Sequence, residues 1–576
     1  MKKIFFWRYP ARLSFFRRDD RPLLIIFGII VGICSGLAAV ALNRSLIFIL
    51  DSLHHVRHLW WAFILPGLGA MFSALYLEKI MKEGAGHGVP EVIYSVSRYG
   101  GLMRLRSSIS RLISSCLTIG SGGSAGPEAP VVMSGAAIGS NIAQLFYLND
   151  RQRVTLVGCG AAGAIASIFN APLTGMVFAM EIILGEWSMV NIIPIAVASV
   201  AGAEISRILQ GNSIAFESSG FHLGGFDFVA CLGLAVVASL ASLLLTRMLR
   251  RMHHLSAKVS VSFWIRAAIG GCAVGLLGFA VPEVLGEGYY SIHAMIQGVF
   301  KSGLTIAGIA FFAKILATSL TLGWGGSGGI FAPCLVIGSF AGLAYHRFII
   351  FLFPSVTMAS EGCFALLGMA GMMSGILQAP LTGIFLILEI TGGYEVMLPL
   401  IIVSALSTTI THYFEPASFY MKDLADRGEL LRPGTDLRVL ADISIREVVE
   451  KDCISVPPGM LLREFLHTVK GSTRNYFPVE DEDTGIFLGM VTFDHVRPYL
   501  FNTVMYDTVF VDQIMDADPE TIHYDDDLSG VLQKMDAKKC FSMPVVSNNR
   551  FVGMVSKATL LDKYRDELNV QTAQPF

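Results

Sequence analysis

The sequence predicts an all-α polytopic membrane domain with an internal repeat and broken intramembrane helices, followed by a soluble α/β pair. Three observations carry this. Of 576 residues, 53% are hydrophobic and 15% charged, with a mean hydropathy of +0.59, the composition of a chain that crosses a membrane many times. The charge is concentrated at one end: the last 156 residues, from Met421, hold 43 charged side chains against 45 in the first 420. Finally, glycine-rich loops and one longer segment of the membrane part recur in its second half.

The start, MKKIFFWRYPARLSFFRRDDR, places seven basic residues before an apolar run that begins near Pro22. Lys and Arg are retained on the cytoplasmic side, so residues 1–21 are expected to be cytoplasmic. That run is about as long as a full span and lacks a small-residue cleavage site, which argues against a cleaved signal peptide. Apolar segments follow at 22–50, 59–79, 129–147, 190–209, 226–248, 264–286, 304–322, 331–352 and 395–412. Residues 22–420 form the expected membrane domain, in two repeats of about 22–210 and 226–420. The nine cysteines are scattered, with no CxxC pair and no His cluster beside them. They read as core thiols, so no metal site or disulfide is expected.

Glycine loops at 84–90, 120–130 and 323–333 interrupt the apolar pattern. Irregular backbone at that depth is tolerated only where protein or a cavity satisfies it. The most informative loop is Gly122-Gly123-Ser124-Ala125-Gly126-Pro127-Glu128-Ala129-Pro130, which leads into the run Val131 to Ile142. Glycines permit close backbone approach, proline suits a helix start, and first-turn amides have no intrahelical acceptor. Such an end attracts anions. On a soluble protein Glu128 would be an ordinary dipole-complementing glutamate; between long apolar segments an ionisable group is by default functional.

The repeat sharpens this. FNAPLTGMVFAMEI (169–182) and LQAPLTGIFLILEI (377–390) agree at seven of fourteen positions, and GGSAGPEAP (122–130) aligns with GGSGGIFAP (325–333) without a gap at an offset of 203. A shared APLTG alone would indicate a helix-packing motif, but the co-aligned loops indicate related halves, the hallmark of repeat-built transporters. The tail repeats as well: residues 476–492 and 542–556 each read as strand, polar turn and a strand ending Gly-Met-Val plus a hydroxyl residue, with helical patterns at 461–469 and 528–535. Two small α/β modules are expected at 436–502 and 508–576, after a linker at 421–435.

Together these residues resemble the CLC family of chloride channels and chloride/proton antiporters followed by tandem CBS domains. Gly86-His-Gly-Val-Pro90 is similar to that family's GSGxP, Gly126-Pro-Glu-Ala-Pro130 to its GREGP, Gly329-Ile-Phe-Ala-Pro333 to its GxFxP, and Tyr420 to its pore tyrosine. The resemblance implies an inverted repeat and a homodimer with one anion pathway per subunit. It places anion contacts at His87, Gly88, Glu128, Ala129, Ile330, Phe331, Ala332 and Tyr420, with Glu128 as the gate. Helix-end partial charges suit this task, because they release chloride where a full positive charge would trap it. Outside the resemblance, Tyr420 would read as an interfacial belt residue.

The chain departs from the family pattern in four places. His87 replaces a serine hydroxyl; an imidazole N–H can substitute, which leaves the anion preference open. Pro127 and Ala129 replace Arg and Gly beside the gate, and Pro127 offers no N–H. Many antiporters of the family have a second acid directly after the glutamate corresponding to Glu181. Here that residue is Ile182. An aliphatic side chain relays no proton, which favours a passive, proton-gated chloride channel, with chloride/proton antiport along Glu128 and Glu181 as the alternative and another transported anion as a remoter one. CBS pairs often hold adenine nucleotides through a Ser/Thr followed three residues later by Asp. Here Thr492 meets His495 at that spacing, with Asp494 one position early, and Ser556 meets Thr559. A structural role is expected, with nucleotide binding at Thr492, Asp494 and Ser556 as the alternative and no other cofactor.

Rival classes have less support. The chain contains no GxxxxGK[ST] loop and no HExxH pair, so neither an enzyme nor a nucleic-acid partner is expected. A cation site would want carboxylates or helix C-termini at the breaks, whereas these loops precede helices. The expected setting is a bacterial inner (plasma) membrane, both termini cytoplasmic.

Overall fold

Lipid obliges each crossing segment to satisfy its own backbone polar groups, which an apolar run of about twenty residues does as a helix. The computed structural model describes residues 21–54, 59–84, 88–211, 216, 224–300, 303–426, 443–524 and 526–572. The basic start before Arg21, His87 and residues 427–435 of the expected linker lie outside them. The chain divides into two compact units, 1–430 and 431–576.

The first half of the membrane unit runs α1 (Arg21–His54), α2 (Leu65–Leu75), α3 (Val89–Tyr99), α4 (Ser107–Gly120), α5 (Glu128–Leu145), α6 (Asp150–Phe169), α7 (Pro172–Phe178) and α8 (Met189–Gln210). The second runs α9 (Gly225–Lys258), α10 (Phe263–Ala280), α11 (Tyr289–Ile296), α12 (Leu304–Gly323), α13 (Phe331–Leu352), α14 (Glu361–Leu377), α15 (Pro380–Thr391), α16 (Met397–Phe414) and α17 (Phe419–Asp426). Nine helices among the described residues are long and apolar enough to span. Two features differ from the sequence expectation. Helix α6 spans although it opens Asp150-Arg151-Gln152-Arg153, and the segment expected to reach residue 286 stops at Ala280, then turns through Pro282–Val284.

Contacts within one half recur in the other, and a further pair joins the two. On α5, Gly135 and Gly139 face Gly160 and Leu156 of α6; their repeat mates on α13, Gly338 and Gly342, face Gly368 and Phe364 of α14. A Cβ on Gly338 would stand 2.5 Å from the Gly368 carbonyl oxygen. Close helix approach through small residues replaces the hydrophobic drive that lipid removes. The two APLTG helices are capped across the repeat. Glu389 on α15 accepts from the Leu173 and Thr174 amides of α7 at 2.9 and 2.7 Å, and Glu181, just beyond α7, accepts from the Leu381 and Thr382 amides of α15 at 3.2 and 2.8 Å. Each carboxylate also accepts a threonine hydroxyl at 2.7 Å. Orphan first-turn donors and the helix dipole are satisfied together.

The second unit has two modules. Strand β1 (Tyr476–Glu480) pairs antiparallel with β2 (Phe487–Thr492), and β3 (Ser542–Ser547) with β4 (Arg550–Ser556). Parallel bridges Val456↔Val479 and Ile522↔Val545 extend each sheet in the same way. Helices Leu462–Gly471 and Leu528–Ala537 bury Phe465 and Met535 against Phe477 and Val545. Backbone pairs Glu450↔Met554 and Met490↔Asp516 lace the modules together.

Candidate anion site

The loops before α5 and α13 meet each other in the buried interior of the membrane unit. The Gly126 N–H donates to the Gly329 carbonyl at 2.8 Å and the Gly329 N–H to Gly126 at 2.7 Å, a pair of antiparallel bonds about a local two-fold axis. The surrounding contacts obey the same symmetry: the Ser124 amide donates to Thr321 Oγ1 at 3.0 Å, the Ser327 amide to Thr118 Oγ1 at 3.2 Å. Glycine is required by crowding, since a Cβ on Gly328 would stand 2.5 Å from that of Ala125. Gly122 and Gly325 have φ of 111° and 110°, which other residues resist. The inverted repeat is thus stitched together at the point where its helices begin.

Both helix starts face inward. The first intrahelical bonds are Val131 N–H to Pro127 at 3.2 Å and Cys334 N–H to Ile330 at 2.9 Å, so the amides of Glu128, Ala129, Phe331 and Ala332 precede them. Pro130 and Pro333 follow, supplying no further N–H. Phe331 is fixed by the rings of Phe178 and Phe169, at 5.6 and 6.1 Å. Helix α3 joins them: Gly88 (φ 86°) caps it, and a Cβ there would lie 2.9 Å from the Ala129 carbonyl oxygen.

The Glu128 side chain occupies this convergence. It is fully buried, and its carboxylate lies by the amides of Glu128 and Ala332. Oε1 accepts from the Tyr289 hydroxyl at 2.7 Å, while Oε2 has no hydrogen-bond partner of normal geometry. Tyr420, at the start of α17, is 1% exposed and its hydroxyl is likewise buried without a partner, within electrostatic reach of Glu128. An unpaired buried hydroxyl costs about 1–3 kcal/mol, so the pocket is incomplete without an acceptor. Helix N-termini, a hydroxyl donor and a carboxylate standing among them have the chemistry to hold a small dehydrated anion. Ile330, Phe331, Ala332, Ala129, Gly88, Glu128 and Tyr420 come together at this convergence.

Glu181 has a different setting, bonded to α15 as described, and Ile182 beside it is buried. Sequence reasoning missed Tyr289, whose signal was available: Gly286-Glu287-Gly288 repeats Gly86-His87-Gly88 at an offset of 200.

In the tail, Ser556 donates to Glu450 at 2.7 Å, and Thr559 and Arg474 also bond that carboxylate. Thr492 N–H donates to His495 Nδ1 at 3.5 Å, and Asp494 pairs with Arg497 at 3.0 Å. Arg474 also binds Asp452 and holds that carboxyl below its ordinary range. This contribution to stability is present above the ordinary aspartate value of about 3.9 and is lost as pH falls through the depressed one.

Residues 69–412 match the family model described as voltage gated chloride channel, and 445–502 and 511–566 match CBS domains. A relative of Ralstonia nicotianae named as a ClcB-like chloride channel protein is 30% identical over 380 residues, 65% of this chain and 88% of its own. The H(+)/Cl(-) exchange transporter ClcA of Salmonella agona is 30% identical over 430 residues, 71% of this chain and 90% of its own. A slow cyanobacterial Cl-/H+ antiporter shares the fold at 21% identity and a TM-score of 0.64, covering 70% of this chain and 98% of its own. A eukaryotic CLC transporter does so at 17% identity and 0.62, covering 93% and 97%. The chain is therefore a multi-pass member of the CLC family, built for CLC-type anion transport and carrying a CBS pair.

Proposed function

We propose that the protein exchanges chloride for protons, with Glu128 as the group that both gates the anion and carries the proton. The observation behind this is the fully buried Glu128 carboxylate standing against the first-turn amides of α5 and α13. Ionised, it occupies an anion's place; protonated, it loses the attraction of those helix ends and yields to chloride. The exchanger names of the Salmonella and cyanobacterial relatives support coupling, and the passive-channel expectation drawn from Ile182 finds no support in them. Proton-driven accumulation tests this. Vesicles with equal chloride on both sides and a pH gradient should concentrate chloride uphill with the membrane voltage clamped; chloride that stays level would leave a channel.

Glu181 serves in this reading as a cross-repeat cap, and protons pass it by water. Glu181→Gln keeps one carbonyl acceptor but loses charge, so it should lower stability by about 1–3 kcal/mol in a detergent melt while proton coupling survives. A melt unchanged alongside lost coupling would return Glu181 to the proton path.

Family membership supports a homodimer, the Ralstonia and Salmonella relatives support a bacterial inner membrane, and the basic residues before Pro22 support a cytoplasmic N-terminus. The tail acts structurally, since the Ser556 hydroxyl is already committed to Glu450. Calorimetric titration of the full chain with ATP, ADP and AMP should be flat; saturable heat would establish nucleotide regulation instead.

A further inference from the structure

The second repeat contains a loop that the anion site does not explain. Gly286-Glu287-Gly288 is the repeat mate of Gly86-His87-Gly88. Gly288 caps α11 at φ 87° as Gly88 caps α3 at φ 86°. A buried cation bonds the chain beside each of these positions, the two cations standing 203 residues apart. Arg111 on α4 donates to the Gly84 carbonyl at 2.9 Å, and Lys314 on α12, wholly buried, donates to the Val284 and Gly286 carbonyls at 3.0 and 2.9 Å. The loop is therefore a fixed platform. It presents Tyr289, whose hydroxyl donates to Glu128 Oε1 at 2.7 Å. The Tyr289 ring is backed by the buried Phe216, centroid to centroid 5.8 Å. Glu287, partly buried, stands on this loop between Gly286, whose carbonyl Lys314 bonds, and Tyr289, whose hydroxyl bonds Glu128. A Cβ on the next residue, Gly288, would lie 3.2 Å from Lys314 Nζ, so the loop brings a second carboxyl close to the first.

We propose that Tyr289 and Glu287 are positioning residues that set the pH at which Glu128 opens, Tyr289 by holding the ionised carboxylate in place and Glu287 by opposing its charge. This rests on the gate reading of Glu128. The groups facing Glu128 are Tyr289, Glu287, Cys334 on α13 and Tyr420 on α17, with Lys314 behind Glu287. The two effects have opposite signs. A hydroxyl donor stabilises the ionised gate more than the neutral one, whereas a neighbouring carboxylate destabilises it. A hydrogen bond to a charged acceptor corresponds to roughly one pH unit or more.

The test is chloride flux in proteoliposomes with pH equal on both sides, comparing wild type, Tyr289→Phe, Glu287→Gln and Glu128→Gln. Tyr289→Phe should move the activation midpoint up by about one unit or more, and Glu287→Gln should move it down, each with an unchanged acid plateau. A lowered plateau at an unmoved midpoint, or shifts of the same sign, would overturn the inference; if one variant fails to fold, the sign from the other decides. Glu128→Gln should be flat. If it is flat and the midpoints stay put, this inference alone fails; if it keeps the wild-type pH profile, the gate reading fails too and takes this one with it.

Discussion

Glu128→Gln is expected to abolish proton coupling and the pH dependence of chloride flux together, while chloride itself still moves. The amide keeps the size and shape of the protonated acid but cannot ionise, so it neither carries a proton nor competes as an anion for the amides of α5 and α13. Coupled proton flux should fall by at least an order of magnitude, since the exchange step has no substitute donor at the buried convergence. The neutral side chain should also fold well. In wild type a buried carboxylate is desolvated at an effective cost of several kcal/mol, offset by the Tyr289 hydroxyl and the helix ends. Simultaneous chloride and pH electrode traces would check this, and residual pH dependence in the variant would mean that another group titrates.

Gly338→Val should damage the fold severely. The first added carbon would lie 2.5 Å from the Gly368 carbonyl oxygen and 2.8 Å from the Met369 Cα. Both neighbours are backbone, so neither can turn aside. Overpacking of this kind costs about 1–3 kcal/mol and sometimes more, and here it displaces the helix whose first turn forms half of the anion site. Loss of monodisperse protein in detergent, or a melting temperature lowered by several degrees, is the expected result. The same change at Gly135 should behave alike because its neighbours are the repeat equivalents. A Gly338→Val protein that melts like wild type would show that α13 is free to move away from α14.

Much of this was legible because the halves are repeated. GGSAGPEAP and GGSGGIFAP announced two loops that meet on a two-fold axis, and APLTG marked two helices that exchange glutamate caps. The helix starts at Glu128 and Phe331 followed from glycine and proline chemistry, and the tail strands from alternating apolar residues around a polar turn. Other parts were hidden for physical reasons. Helix α6 opens with three charged residues among its first four and is rich in glycine and alanine, so its apolarity is diluted even though it is largely buried. The Gly286 loop was absorbed into an apolar run because Val281, Val284 and Leu285 look like a continuing helix. Glu181 invited a proton-path role, since a glutamate in an apolar segment is functional by default; its helix-capping partners lie two hundred residues away. No local pattern reveals them.

The most direct test of proton exchange at Glu128 is an uphill proton measurement. Proteoliposomes loaded with high chloride are placed in low chloride with voltage clamped near zero, and external pH is recorded as chloride leaves. With pH equal on both sides at the start, protons should move into the vesicles and continue against the gradient this builds, in fixed proportion to chloride lost, and this movement should vanish in Glu128→Gln. Chloride leaving at the wild-type rate with external pH unchanged would contradict exchange and identify a passive anion conductor.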